Sequence, residues 1–121
     1  MGNAARSVFV FGLYLAVIGA IFVTVPNFFL VLNRFPPTNE VWIRVVGVLV
    51  LCLAYYYVRA GRRGLTDFFR WTVTVRSFVF LAFCAFVLLR LTQPMLVVFG
   101  IIDLLGAIWT ALALRGAGGG A

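Results

Sequence analysis

The chain has no histidine and no lysine, and only three acidic residues: Glu40, Asp67 and Asp103. Without histidine the usual zinc and haem ligand sets are missing, and no imidazole is there to relay protons. Cysteine is scarce too. Cys52 and Cys84 lie in apolar stretches, form no CxxC pair, and read as small buried hydrophobes. No nucleophile–base pair, phosphate-binding glycine loop or metal constellation stands out. No catalytic residue and no metal ligand is therefore assigned, and the reading leans away from an enzyme. Charged residues make up 11% of the chain, against about a quarter in a soluble domain.

Apolar residues fill the space that charge leaves. They are 64% of 121 residues, more than a water-soluble fold of this size hides. They come in long runs, which places lipid on the outside. All ten basic residues are arginine. With the Ala/Gly-rich tail, this composition suggests a GC-rich bacterial genome, and so a multi-pass protein of the bacterial inner membrane. The net charge of +7 superficially suits nucleic acid. The arginines sit at helix ends, where membrane topology accounts for them, and no nucleic-acid partner is expected.

Four segments read as spans, at about 7–25, 41–58, 71–91 and 95–114. Each is roughly 18–21 residues, close to the ~20 that a helix needs at ~1.5 Å per residue. The alternation of β-strands is absent, which speaks against a β-barrel. The fold class expected is all-α: one integral membrane domain over 1–121, a four-helix transmembrane bundle. Pro26 and Pro36–Pro37 break the chain between the first two spans. Thr38 is placed as an N-cap, with Glu40 in the following first turn. Arg59–Gly64 (RAGRRG) reads as a polar loop, and Thr66 and Asp67 start the next helix. Gln93–Pro94 makes a hairpin, with Pro94 at the first helical position. The tail, 116–121, reads as disordered. The first span is too long for a signal-peptide core and lacks an A-x-A site; Arg6 breaks the myristoylation pattern.

Arginine bias gives the orientation. With the N-terminus inside, the cytoplasmic side holds Arg6, Arg59, Arg62, Arg63, Arg70 and Arg115, and the other side Arg34 and Arg90. Both termini are expected in the cytoplasm. Arg59, Arg62 and Arg63 then face the inner leaflet, where they suit anionic lipid headgroups. Trp42, Trp71, Trp109 and Tyr55–Tyr57 lie toward span ends, as interfacial rings do.

Small residues mark packing faces. Gly12, Ala16 and Ala20 stripe the first span, beside Gly19. Gly47 and Ala54 lie seven apart in the second. Gly106/Thr110 and Ala107/Ala111 mark the fourth. These faces serve packing within one bundle or a homo-oligomer, and the first is favoured. Phe78, Phe80, Phe83 and Phe86 crowd the third span after Phe68 and Phe69, as lipid-facing bulk or as a wall for a quinone, carotenoid or sterol.

An intramembrane polar cluster of Asp103, Arg76, Arg44 and Glu40 is the candidate site. Asp103 is roughly 12 Å into the fourth span, where an aspartate costs about 2.5–3.5 kcal/mol to insert. Gly100, Gly106, Ala107 and Thr110 share its face, which is expected to point inward. Arg76 and Arg44 are the candidate partners, with Glu40 competing for Arg44 at i, i+4. The cluster reads either as a helix-orienting ion pair or as the polar end of a path or pocket. One acid and two bases make a poor proton chain.

Three stretches carry a family likeness: RSVFVFGLYLAVIGA followed by Pro26, then WIRVVGVLVL, then DLLGAIWTALAL. In these the chain resembles small bacterial four-helix membrane proteins of the DoxX-like kind, over nearly its whole length and in hydrophobic pattern. Some DoxX-like proteins are linked to membrane thiol or quinone redox complexes; the resemblance implies a four-helix architecture and leaves a redox association open, with no redox cysteine motif present. Two functions are expected to compete. One is a non-catalytic subunit or interaction protein of a membrane complex, with large lipid-embedded contacts to partners and no internal pocket. The other is a binder, or redox-linked enzyme subunit, for a small hydrophobic molecule such as a quinone or other lipid. It expects an enclosed cavity beside Asp103 lined by phenylalanine and tyrosine. No cofactor is evident from the residues themselves.

Overall fold

The computed structural model describes residues 2–117. It contains five helices: α1 (Asn3–Thr24), α2 (Pro26–Leu32), α3 (Trp42–Arg63), α4 (Thr66–Leu88) and α5 (Met95–Ala117). No strand occurs among the described residues. The four long helices are each long and apolar enough to cross a membrane, so the fold is the all-α membrane bundle that the apolar runs imply. The long helices alternate in direction. The start of α1, the α3–α4 turn and the end of α5 therefore share one end of the bundle, here the terminal end. At that end Trp109 Nε1 of α5 donates to Asn3 Oδ1 of α1 at 3.3 Å. α2, the 33–41 connector and the α4–α5 turn form the distal end.

Several boundaries differ from the sequence reading. RAGRRG is not a loop: α3 continues through Arg63, and the chain turns at Gly64, whose φ of 66° is left-handed. Leu65 N donates to Ala60 O at 3.1 Å across this turn, a six-to-one helix stop that suits glycine. The turns after α2 and α4 close in the same way, Phe35 N on Leu30 O and Leu91 N on Phe86 O. There the left-handed residues are Arg34 (φ 65°) and Arg90 (φ 59°). Thr38 does not cap α3, and Glu40 precedes the helix; Thr38 Oγ1 instead accepts from Glu40 N at 3.1 Å in a local turn. Pro26 ends α1 and also opens α2, because its missing N–H is tolerated at a first helical position. α5 includes Gly116 and Ala117, two residues assigned above to a disordered tail; the rest of that tail lies outside the described residues.

α1 is the central element. It packs closely on α3 and next on α5, α5 packs on α4, and α3 and α4 scarcely touch. The α1–α3 seam is built on missing side chains. A Cβ on Gly19 would lie 3.0 Å from Gly47 O, and one on Gly47 the same distance from Gly19 O. A Cβ on Gly61 would meet Ala5 O at 3.0 Å, and one on Gly12 the Tyr57 Cβ at 2.9 Å. Gly12–Gly19 and Gly47–Ala54–Gly61 are seven-residue steps, the period that keeps one face toward a neighbour. The small residues thus serve packing within the bundle, although Ala20 is exposed and plays no part.

The two halves of the bundle are filled differently. The terminal half holds a packed core of Ala4, Ala5, Val8, Phe11, Tyr57, Ala60, Phe69 and Ala113. α3 and α4 approach one another here, with Tyr57 and Phe68 edge to face at 5.4 Å. In the distal half the two helices flank a cavity.

Candidate functional site

The cavity has a volume of about 360 Å³. α1 contributes Tyr14, Leu15, Ile18 and Phe22 to its wall, and α3 contributes Ile43, Val46 and Val50. Phe29 and Leu30 of α2, Phe35 of the connector and Phe83 of α4 line other sides, and the cavity is half open rather than enclosed. α5 supplies Leu96, Phe99 and Asp103. The aromatic rings pack as a continuous group: Phe22 and Phe29 are 5.0 Å apart, Phe29 and Phe99 5.4 Å, Phe35 and Phe99 6.5 Å. Two side chains carry polar tips, the Asp103 carboxylate and the Tyr14 phenol. Leu96, Phe99 and Asp103 follow one face of α5 at helical spacing. Asp103 is the member nearest the terminal half, so it closes the inner end of an otherwise oily chamber.

Directly beyond this end lies a buried polar group. Arg76 is 1% exposed, as is Ser7; Thr110 is 0% and Thr72 4%. Arg76 Nη2 donates to Thr110 Oγ1 at 2.8 Å and to Thr72 Oγ1 at 3.0 Å, and Nε donates to Thr72 O at 3.3 Å. Ser7 Oγ and Thr110 Oγ1 share a hydrogen bond of 2.6 Å, which ties α1 to α5. The guanidinium stacks 4.8 Å from the Phe11 ring centroid and 5.8 Å from that of Tyr57, a cation–π setting that offsets part of its desolvation. Nη1 is buried without a hydrogen-bond partner. It lies against α5 at Gly106, where a Cβ would be 2.9 Å away.

The direct ion pair expected for Asp103 does not form. The one ion pair among the described residues joins Arg70 and Asp67 at 3.6 Å on the surface. Helix geometry gives the reason. Side chains lean toward the N-terminus of their own helix. α4 and α5 are antiparallel, so Arg76 leans to the terminal end and reaches Thr72, while Asp103 leans distally into the cavity.

Arg44 is not part of this cluster either. It is exposed and donates from α3 to the carbonyls of Val23 and Thr24 at the end of α1. Those carbonyls are left over where the α1 ladder stops at Pro26, and a guanidinium complements the negative end of the helix. Glu40 is exposed in the connector and pairs with no arginine among the described residues. Of the four residues singled out in the sequence, Asp103 and Arg76 thus sit within about a turn of each other, and Arg44 and Glu40 lie apart. The sequence reading passed over Tyr14, Ser7 and Thr72. Thr72 and Arg76 at i, i+4 on one span carried a readable signal, whereas Ser7 requires knowing that α1 and α5 adjoin.

The third-span phenylalanines divide among three roles. Phe83 lines the cavity, Phe80 and Phe83 cover Gly100, and Phe78 is 66% exposed on the outer face. Arg59, Arg62 and Arg63 are exposed on the last turns of α3, with Arg59 over the Tyr55 ring at 5.8 Å. Cys52 and Cys84 are both free, and Cys52 is exposed rather than buried. No known protein family, curated protein or solved structure matches the chain.

Proposed function

We propose that this membrane protein binds a small hydrophobic molecule in the cavity between α3 and α4, with the polar part of that molecule at Asp103 and Tyr14. The observation that carries the reading is the cavity itself. It is large enough for a small ligand by the measure of known sites, about 300–1,000 Å³. It pairs apolar walls with a few converging polar groups, the usual make-up of such sites. A role limited to subunit contacts gives no reason to keep a carboxylate facing an aromatic-walled cavity within the membrane. Quinones and other ring-bearing lipids suit five phenylalanines and a tyrosine. The DoxX-like resemblance, with its link to quinone or thiol redox complexes, agrees with such a ligand and belongs to the same proposal. So do a bacterial inner-membrane location and cytoplasmic termini, on the strength of the arginine bias. Arg59, Arg62 and Arg63 would then meet anionic headgroups as a diffuse charge.

Photo-crosslinking tests the reading. A benzophenone side chain replacing Phe99 faces the cavity, and one replacing Phe78 faces outward. Irradiation in native membranes should give one dominant small-molecule adduct at position 99 and a mixture of bulk lipids at position 78. The same lipid mixture at both positions would contradict the proposal.

A further inference from the structure

The polar end of the cavity restricts the chemistry of its occupant. Asp103 is the one acidic residue in the interior of the four long helices, since Glu40 lies in the connector and Asp67 in the exposed first turn of α4. Among the described residues no side chain or backbone group donates a hydrogen bond to it, and it forms no ion pair. An ionised carboxylate accepts hydrogen bonds and donates none. Asp103 is half-buried at the cavity wall, so an occupant that covers it removes its access to solvent and must bring a donor to avoid that cost.

The charge count narrows the class further. Arg76 is the one buried cation among the described residues, and its Nη1 abuts the α5 face one turn from Asp103. The two charges sum to zero inside the bundle. A cationic ligand would satisfy Asp103 but leave one positive charge over in the low-dielectric interior, where it is expensive. A hydroxyl supplies the donor and leaves the sum at zero. Tyr14, on the same cavity wall, has a phenol that donates as well as accepts, and so complements the oxygen of that hydroxyl. Ketones, quinones and ethers offer acceptors alone and leave Asp103 bare.

Resting on the ligand-binding reading above, we infer that the cavity takes a neutral, hydroxyl-bearing aromatic or alicyclic molecule. Its O–H is donated to Asp103 and its apolar body lies among Phe22, Phe29, Phe83 and Phe99. For a quinone-type ligand, the reduced hydroquinone form is bound in preference to the oxidised form.

Three probes of one skeleton separate the possibilities: 4-pentylphenol, its methyl ether 4-pentylanisole, and (4-pentylphenyl)trimethylammonium. Each is titrated by ligand-detected NMR into the full-length protein in lipid nanodiscs, with empty nanodiscs as the blank. The phenol should bind about tenfold or more tighter than the ether, the ratio set by one hydrogen bond to a charged acceptor. The ammonium should bind no better than the ether. Asp103→Leu should bring the phenol down to the ether's affinity and leave the ether's own affinity in place, which also reports that the cavity is intact. Asp103→Asn serves in the same comparison if the leucine variant does not fold, and should shrink the phenol's advantage to about threefold, the value of a neutral hydrogen bond. Equal binding of phenol and ether to the wild-type protein would overturn the hydroxyl inference and leave the ligand-binding reading standing. Tightest binding by the ammonium would replace it with a cationic ligand. Saturable binding of none of the three would overturn both.

Discussion

Adding one methyl group at Gly47 tests whether α1 and α3 are held as closely as the fold requires. An alanine Cβ there would lie 2.8 Å from Phe22 Cβ, 2.9 Å from Val23 Cγ2 and 3.0 Å from Gly19 O. Comfortable carbon contacts begin near ~3.5 Å, so the helices must part by several tenths of an ångström. Two of the three contacts are to atoms that cannot rotate away, a Cβ and a backbone oxygen. Overpacking of this kind costs about 1–3 kcal/mol. Replacing a mid-helix glycine returns up to ~1 kcal/mol of helix propensity, which leaves a net loss of about 0–2 kcal/mol against wild type and a larger one against a glycine-to-alanine change free of contacts. Gly116→Ala is the control. Nothing lies within 4 Å of its added Cβ, so propensity acts alone and stability should rise slightly or hold. The assay is SDS-driven unfolding in mixed micelles followed by circular dichroism. A Gly47→Ala protein as stable as Gly116→Ala would refute the close seam and the central place given to α1.

Other outcomes follow from the same geometry. Thr110→Val removes an acceptor from Arg76 and the partner of Ser7, and should cost about 1–3 kcal/mol in the same assay; Thr110→Ser keeps both bonds and should stay near wild type, so equal losses would deny the network. Arg44→Gln should cost ~1 kcal/mol or less, because it removes a charge only at the exposed end of α1; a loss as large as that of Thr110→Val would mean a buried partner. Reporter fusions after Arg34 and Gln93 should report the periplasm and a fusion after Gly64 the cytoplasm, with the reverse pattern overturning the orientation. Single Gln replacements of Arg59, Arg62 or Arg63 should leave assembly intact, and one that abolishes it would mark a defined contact in place of diffuse charge.

The number and order of the long helices were legible because apolar runs of membrane length have one stable form in lipid. What escaped was governed by contacts between runs. RAGRRG looked like a loop because three arginines and two glycines crowd together there. Gly61 is in fact the third small residue of the α1–α3 seam, and the arginines point away from it. The connector hid α2, since Pro26 signals both the end of one helix and the first turn of another. Asp103 and Arg76 were legible as charges deep within their spans. Their orientation was not, because it depends on which way antiparallel helices tilt their side chains. Thus Arg76 finds Thr72 and Thr110, and Asp103 faces the cavity. The aromatic walls escaped as a set because they come from α1, α2, the connector, α4 and α5, with no shared periodicity.

Native mass spectrometry of the protein released from its own membranes addresses the cavity most directly, with Val50→Trp as the comparison. Val50 lines the chamber on α3, and an indole there occupies the space that a ligand would need. The account predicts that the wild-type protein carries one reproducible small-molecule mass and that Val50→Trp, equally helical by circular dichroism, carries none. Wild-type and Val50→Trp proteins with identical masses, both bare or both loaded, would contradict it.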